Sequence, residues 1–570
     1  MKASDQPPHG GPIARILVLV LMAAFMTILD VATALTVTST NDSGSGSLRQ
    51  TIQEAAPADT IEFSVTGLIT LTNGELLVTR DLVIVGPGAT NLALSGHSTT
   101  RVFEVASGIS LTISGLAIVA GRDTNGGGIY NAGSLTLLHC AFLTNVAAGK
   151  SADPGSVAGD GCGGAVYNSG ALNIWDTVFH KNAASGGGFG LPFGQGSAGA
   201  SGFGGGVYNS GSLSISSSTF FENVAIGGSG VAGANATQLS GPFPGGVGGL
   251  GYGGAIYNGA GNVNLTNNTF VINSATGGNG GMGGNGLWGY CHTFPGNRAT
   301  PGADGGSGGS GLGGGLYNFN GFIRIVSATF SSNTAVAGLG GTGGPGGTCF
   351  DGPGSARSGS AGALGFALGG ALHSSGVSPS ASIRNTIVAD NSAAHGGPDV
   401  YGPLTSGGYN LLGKTNDSTG WLESDLKGSS SLPVDPKLGP LQNNGGATFT
   451  MAVLPGSPAL QAGDDTLLTE PNPLGSDQRG LPRKSGAHID IGAFELQLCL
   501  LTELIRSGAN IVIRFSTEPG QKYQLQRTDV PSSGVWTTVA AEIPGTGGTV
   551  QAIDFGSVVE QRFYRCVMLP

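Results

Sequence analysis

Carboxylates able to do hydrolytic chemistry are sparse in this chain, and their spacing suits neither common way of breaking a polysaccharide. Hydrolysis of a glycosidic bond needs two carboxyl groups a few ångströms apart. Eliminative cleavage needs acids that hold Ca²⁺ beside a basic group that removes a proton. Residues 125–395 contain seven acids, Asp153, Asp160, Asp176, Glu222, Asp304, Asp351 and Asp390, and none falls in register with another in the repeat described below. Only Asp390, Asp399 and Arg384 stand where a catalytic cluster could form. The densest acid group, Asp464, Asp465, Asp477 and Asp490, fits either turn caps or one Ca²⁺, and the ease with which Asp serves turns favours caps. The six cysteines form no CxxC or His/Cys cluster, so zinc is not indicated. No GxxxxGK[ST] occurs and GGxGxD never recurs, which argues against a phosphate loop and a calcium β-roll. The expectation is no catalytic residue, no cofactor-binding residue and no metal ligand.

The elements that would have to position such residues are repeated. Five copies pair a glycine-rich Tyr-Asn element with a later Phe-x-x-Asn: GGGIYN (Tyr130, Asn131) with FLTN (Phe142, Asn145), GGAVYN (Tyr167, Asn168) with FHKN (Phe179, Asn182), GGGVYN (Tyr208, Asn209) with FFEN (Phe220, Asn223), GGAIYN (Tyr257, Asn258) with FVIN (Phe270, Asn273), and GGGLYN (Tyr317, Asn318) with FSSN (Phe330, Asn333). A worn sixth copy surrounds His373 and ends near Asn391. A unit this short cannot bury its own apolar face, so it must stack on its neighbours as a solenoid. Between the two elements the apolar residues alternate, as in Leu135/Leu137, Leu213/Ile215 and Val263/Leu265, which is the strand period. The fold expected is all-β: a right-handed parallel β-helix, one rung per repeat, stacked about 4.8 Å apart.

Stacking gives the recurring residues packing roles. Each Phe should join an inward aromatic column, and each Asn of Phe-x-x-Asn should sit at a left-handed corner and bond to its copies above and below. The Tyr-Asn pairs should form two further ladders on opposite faces of one strand. The alternative for the tyrosines is a sugar-binding stripe, which requires exposed rings. In the same register Asp176 is matched by Ser217, Asn267 and Ser327, and Glu222 by Lys181, Ile272 and Ser332, so no acidic groove runs along the stack.

Glycine-rich insertions separate the copies and lengthen along the chain, taking 18, 22, 30 and then 40 residues from Asn145, Asn182, Asn223 and Asn273 to the next repeat glycine. They read as loops without helix or strand periodicity, either flexible decoration or a contact surface on one face of the solenoid. Glycine supplies 107 of 570 residues, and charged residues are 10% against a usual share of about 25%. The net charge of −10 argues against nucleic acid or an anionic membrane as partner. Lys2 and Arg15, an apolar run over residues 16–29, and the Ala32-Thr33-Ala34 triplet read as a cleaved signal peptide, with no transmembrane segment after it. Export permits disulfides. Cys499 and Cys566 bracket the last segment and are the pair favoured to bond; Cys291 and Cys349 could staple neighbouring insertions, and sequence alone does not fix the pairing.

The paired GGA[IV] and FxxN elements resemble the polymorphic outer membrane protein repeat of surface β-helix proteins. Residues 36–55 (TVTSTNDSGSGSLRQTIQEA) with 59–63 (DTIEF) are similar to the CSLREA-type opening of secreted β-helix proteins, with Ser47 where that motif has its cysteine. Residues 434–464, DQRGLPR (477–483) and DIGAFE (490–495) resemble the closing segment of choice-of-anchor Q domain proteins. The resemblance implies a β-helix at the cell surface and no single ligand. Short alternating runs over 511–516, 522–528, 535–540, 550–555 and 562–568 read separately, as a small C-terminal antiparallel β-sandwich. The organisation expected is a signal peptide (1–34), N-terminal rungs and cap (35–125), the repeat β-helix with its insertions (126–395), a closing segment (396–496) and the β-sandwich (497–570). The function expected is that of an exported, non-enzymatic, adhesin-like or matrix protein at the cell surface, whose unknown surface ligand is a carbohydrate or another surface protein. Because β-helices also host polysaccharide lyases and hydrolases, a carbohydrate-active enzyme is the alternative.

Overall fold

The computed structural model describes residues 34–569 apart from 152–156, 189–195, 291–297, 352, 377–379, 470, 472, 500, 518–520, 532–534, 547 and 557–560. Apart from Ala34, the expected leader lies outside the described residues, as do Cys291 and Asp153. No described helix is long and apolar enough to cross a membrane.

The chain winds into a right-handed parallel β-helix. Three long parallel sheets run along it: a Leu/Ile sheet from Ala34–Val37 to Thr405–Ser406, a Phe sheet from Gly67–Thr70 to Leu426–Lys427, and a Tyr sheet from Leu76–Val78 to Ser418–Thr419. Two shorter sheets, Arg122–Asp123 to Ser392–Ala393 and Gly161–Cys162 to Ala367–Leu368, flank the insertions. Equivalent letters sit on equivalent letters. Leu135 pairs in register with Leu172, then Leu213, Val263 and Ile323; the tyrosines and the phenylalanines do the same. Strands of three to five residues suffice because each inward side chain lies on its copy in the next rung. The result is one continuous apolar core.

The aromatic column forms as expected. Phe142, Phe179, Phe220, Phe270 and Phe330 stack with ring centroids 4.9, 4.3, 5.0 and 4.4 Å apart, all buried. Beside it runs an amide ladder in which each Asn donates its Nδ2 to the Oδ1 of the next, from Asn145 through Asn182, Asn223, Asn273 and Asn333 to Asn391, at 2.9–3.0 Å. A second ladder links Asn131, Asn168, Asn209, Asn258 and Asn318.

The corner lies elsewhere than expected. The left-handed residue is the one before the Asn: Thr144, Lys181, Glu222, Ile272, Ser332 and Asp390 have φ between 54° and 62°. The amide must point inward to reach its neighbours, so the turn falls to the preceding position, whose side chain faces out and whose type is therefore free. A second left-handed column (His139, Asp176, Ser217, Asn267, Ser327, Asn385) and a third, the first glycine of each GG[GA] such as Gly253 at φ 61°, complete three corners per rung.

The insertions are not loose loops. Their hydrogen bonds recur every third residue: Gly277, Gly280, Gly283 and Gly286 donate to the carbonyls of Val336, Leu339, Thr342 and Pro345, while Gly278, Gly281 and Gly284 donate to Gly249, Gly246 and Phe243. Each insertion is a hairpin of two extended legs with three residues per turn and no backbone bond within a leg among the described residues, the polyproline II pattern. Outgoing legs pair with outgoing legs and returning legs with returning legs, and bonds between the two rows make a two-layer bundle. Two of every three residues face other backbones, where glycine predominates: a Cβ on Gly278 would lie 2.0 Å from the Gly228 carbonyl oxygen. The third residue faces out, as Asn279, Met282, Asn285 and Trp288 do on one leg.

The ends are covered. A helix, Leu48–Glu54, closes the first rungs, with the Ser47 side chain accepting the Gln50 N–H at its start. The closing segment lies against the outer side of the Phe sheet, where Gln478 bonds Thr219, Thr269 and Thr448, and the Ala493 N–H donates to Thr329. Beyond it two antiparallel sheets, of four and three strands, share a core of Ile513, Phe515, Tyr523, Leu525 and Cys566. The favoured Cys499–Cys566 disulfide joins two neighbouring strands at one edge of the four-stranded sheet, with Cα atoms 5.3 Å apart. Cys349 is also disulfide-bonded. Cys140 and Cys162 are free thiols.

Candidate functional site

Three surfaces compete for a functional role: the tyrosine column, the worn end of the repeat, and the glycine bundle. The tyrosines are packed, not displayed. Tyr257 and Tyr317 are buried, because Phe203 and Tyr252 of the fifth sheet set their rings edge-on against them at 4.8 Å. Burial pushes the Tyr208 and Tyr252 phenols up to about 12. The Tyr257 and Tyr317 rings serve packing, while Tyr130, Tyr167 and Tyr208 are half-buried and stacked on one another.

At the worn end the structure separates the three residues that could have formed a catalytic cluster. Asp399 takes the place of the next Asn in the amide ladder, accepting from the Asn391 N–H and Nδ2 at 3.1 and 2.9 Å and from the Lys414 N–H at 2.6 Å. Burial pushes its carboxyl up to about 6 against those donors. Arg384 turns to the closing segment, its Nε 2.9 Å from Asp464. Asp390 faces solvent, lining a polar hollow of about 700 Å³ with His395, Lys414 and Asp417. Burial and the nearby Asp435 raise its pKa, and Lys414 opposes the rise. His395 Nδ1 accepts the Ala367 N–H at 3.1 Å, and Asp417 accepts the Gly397 N–H at 3.0 Å, so both are also structural.

The four closing acids act as caps. Asp464 accepts from Thr466 N–H at 3.0 Å, Asp465 from Ile489 at 2.9 Å, Asp477 from Arg479 at 2.9 Å, and Asp490 from Gln461 and Leu496 at 2.7 Å each. Among the described residues no three His, Cys, Asp or Glu side chains gather as a metal-holding group. Three residues not singled out from sequence complete this buried knot: Arg479 pairs with Asp477 at 2.7 Å, Arg483 is fully buried, and Glu495 is pushed up to about 8 by burial beside Asp490. Their signal was the presence of ionic residues in so apolar a segment of a charge-poor chain.

The glycine bundle is the surface that reaches out. Near its tips two adjoining hollows, of about 420 and 770 Å³, share Asn235 and Asn285. The first is lined by Asn235, Gln238, Asn285, Leu287, Trp288 and Phe350, and among the described residues no charged side chain lines either. Trp288 is 64% exposed and Phe350 59%, large areas for aromatic rings in water. The rings rest on a fixed frame. Asn235 Oδ1 accepts the Asn285 N–H at 2.8 Å, Thr300 Oγ1 accepts the Leu287 N–H at 2.6 Å, and the Phe350 N–H donates to the Gly289 carbonyl at 2.9 Å. The sequence marks none of these lining residues, because glycine-rich composition points no further than a contact surface.

No family model matches the chain, and no curated protein matches it. Among solved structures, one match is the structure of the PL6 family alginate lyase AlyGC, at 11% identity and a TM-score of 0.24, covering 79% of this chain and 58% of that one. The chain spans under two thirds of that structure, and the likeness says nothing of chemistry.

Proposed function

We propose that this is an exported, non-catalytic β-helix protein of the cell surface or extracellular matrix, with the glycine bundle as its binding surface. One observation carries the reading: the insertions are locked by backbone hydrogen bonds into a rigid flank that holds uncharged aromatic hollows at its far end. A frame ordered before binding loses little entropy on contact, which suits adhesion better than a loose loop would. The resemblance of the repeats to polymorphic outer membrane protein repeats, and of residues 434–495 to the choice-of-anchor Q closing segment, supports a surface location. So do the leader-like residues 16–34 and the two disulfide-bonded cysteine positions, Cys349 and Cys499–Cys566.

The test is to incubate the purified chain with acidic and neutral polysaccharides and measure release of unsaturated or reducing ends, while fractionating cells that express it. No turnover, with the protein outside the cytoplasm, is expected; turnover or a cytoplasmic location overturns the proposal. A second reading, a carbohydrate-active enzyme, draws on the polar hollow, where Asp390, His395 and Lys414 line one cavity. It predicts turnover that Lys414→Ala abolishes.

A further inference from the structure

The two hollows at the tip of the bundle are built from a narrow choice of side chains. Aromatic and apolar surfaces, Trp288, Phe350, Met282 and Phe243, alternate with the primary amides of Asn235, Gln238 and Asn285 and the hydroxyls of Thr237 and Ser240. A charged ligand would give up its hydration here and find no opposite charge. A wholly apolar ligand would cover amides and leave them unpaired, at a cost that cancels its gain. What satisfies both is a ligand with an apolar face and a rim of hydroxyls, since an amide both donates and accepts and can pair with a hydroxyl in either sense. Each hollow lies within the roughly 300–1,000 Å³ range of ligand pockets.

Asn285 and Gln238 make no side-chain hydrogen bond among the described residues, so their amides are available. The rings are held in advance. Cys349 is disulfide-bonded next to Phe350, and the parallel bridge between Gly289 and Cys349 fixes the two tips side by side. Tyr290 sets its ring edge-on to Phe350 at 5.6 Å, which leaves the other side of Phe350 to the hollow. The returning legs show the contrast. Their outward residues include a charged one, Asp304, which caps the Ser360 N–H at 2.6 Å.

We infer that this distal cleft binds uncharged carbohydrate, with the Trp288 and Phe350 rings against the C–H face of the sugar and the Asn235, Gln238 and Asn285 amides on its hydroxyls. The inference rests on the reading of the bundle as the binding surface and supplies its ligand class. It also fixes the direction of approach: sugar chains meet the side of the rod at the tips of the longest insertions, away from the tyrosine column and the polar hollow.

The experiment titrates the full secreted chain with neutral oligosaccharides (gluco-, xylo-, manno- and galacto-series) and with uronic-acid oligosaccharides, following tryptophan emission and heat. At least one neutral series should bind, with little response to added salt because no ion pair forms. Trp288→Ala should weaken it by about tenfold or more, and Gln238→Ala by a smaller factor, with the melting curve unchanged because both side chains lie on the surface. Trp288→Phe, which keeps a ring, should restore part of the affinity. Failure of every neutral series, preference for uronates, or Trp288→Ala binding as tightly as the parent overturns the inference. The wider reading fails separately: attachment of the chain to cells or matrix that survives Trp288→Ala rejects the sugar cleft and keeps the surface protein, whereas polysaccharide turnover rejects the surface protein itself.

Discussion

Acid should loosen this solenoid at one identifiable ring. His373 occupies the place that tyrosine holds in the five copies before it, and its centroid lies 4.9 Å from both Tyr317 and Tyr401. It is only 6% exposed, and its Nδ1 has no hydrogen-bond partner among the described residues. Burial pushes its pKa down from 6.5 to about 4, outweighing a hydrogen bond with the Leu368 backbone. A histidine depressed in this way binds fewer protons folded than unfolded. Its contribution to stability is intact above the unfolded pKa near 6.5 and is lost as pH falls towards 4. Linkage between those two values amounts to about 3 kcal/mol in full and about 2 kcal/mol at pH 5. The perturbation is His373→Tyr, which restores the column residue, with His373→Phe as a second variant that cannot titrate. Denaturant unfolding at pH 8 and at pH 5 gives the pH-dependent loss for each protein. Subtracting the variant's loss from the parent's cancels the contributions of the other titrating groups. A difference of about 2 kcal/mol is expected; equal losses in parent and both variants would show that the ring is not held neutral by burial.

Three further predictions concern packing. Gly278→Ala should cost about 1–3 kcal/mol and open the bundle to proteolysis between residues 227 and 366, because its Cβ would meet the Gly228 carbonyl at 2.0 Å; unchanged protease resistance would contradict the three-residue packing. Ile272 is β-branched, exposed and left-handed at φ 56°, so Ile272→Asn should raise stability by about 1 kcal/mol in a thermal melt, and a drop would mean the side chain does more than turn the corner. Asn223→Leu should cost at least about 2 kcal/mol by equilibrium unfolding, since it removes the bond to Asn273 and the one to the Phe179 carbonyl, both about 3 Å, and strands the donors of Asn182.

The solenoid was legible because its instruction is written five times, with twelve or thirteen residues from Tyr to Phe: an aromatic that recurs with strand alternation around it has few places to go except onto its copy. The ladders followed from the same register. The corner was misplaced by one residue because Asn is a good left-handed residue in isolation, whereas here its amide is worth more inside the stack, where it makes two or three bonds per rung. The bundle went unseen although its signal is plain in GGN-GGM-GGN-GLW (277–288): a period of three belongs to neither helix nor strand, so alternation and amphipathicity both miss it. The short helix at Leu48–Glu54 was marked by Ser47 with Gln50 three residues on, a capping pattern. Asp390, Asp399 and Arg384 are close in sequence yet turn to solvent, into the amide ladder and to the closing segment respectively, which spacing along the chain could not reveal. The tip hollows join residues up to 115 positions apart, Asn235 to Phe350, and only the stacking of one insertion on the next brings them together.

The hairpins of the bundle can change their reach only in discrete steps. Dropping three residues from each leg leaves every surviving bond where it was and draws the tip in by about 9 Å, at roughly 3.1 Å per residue. Dropping one or two rotates the rest of the leg by part of a turn and drives a side chain into a neighbouring carbonyl. Insertion length is therefore quantised while the tip residues are free to vary, so such a scaffold could be refitted to a new ligand, and set nearer to or farther from the rod, with no change to the coils beneath.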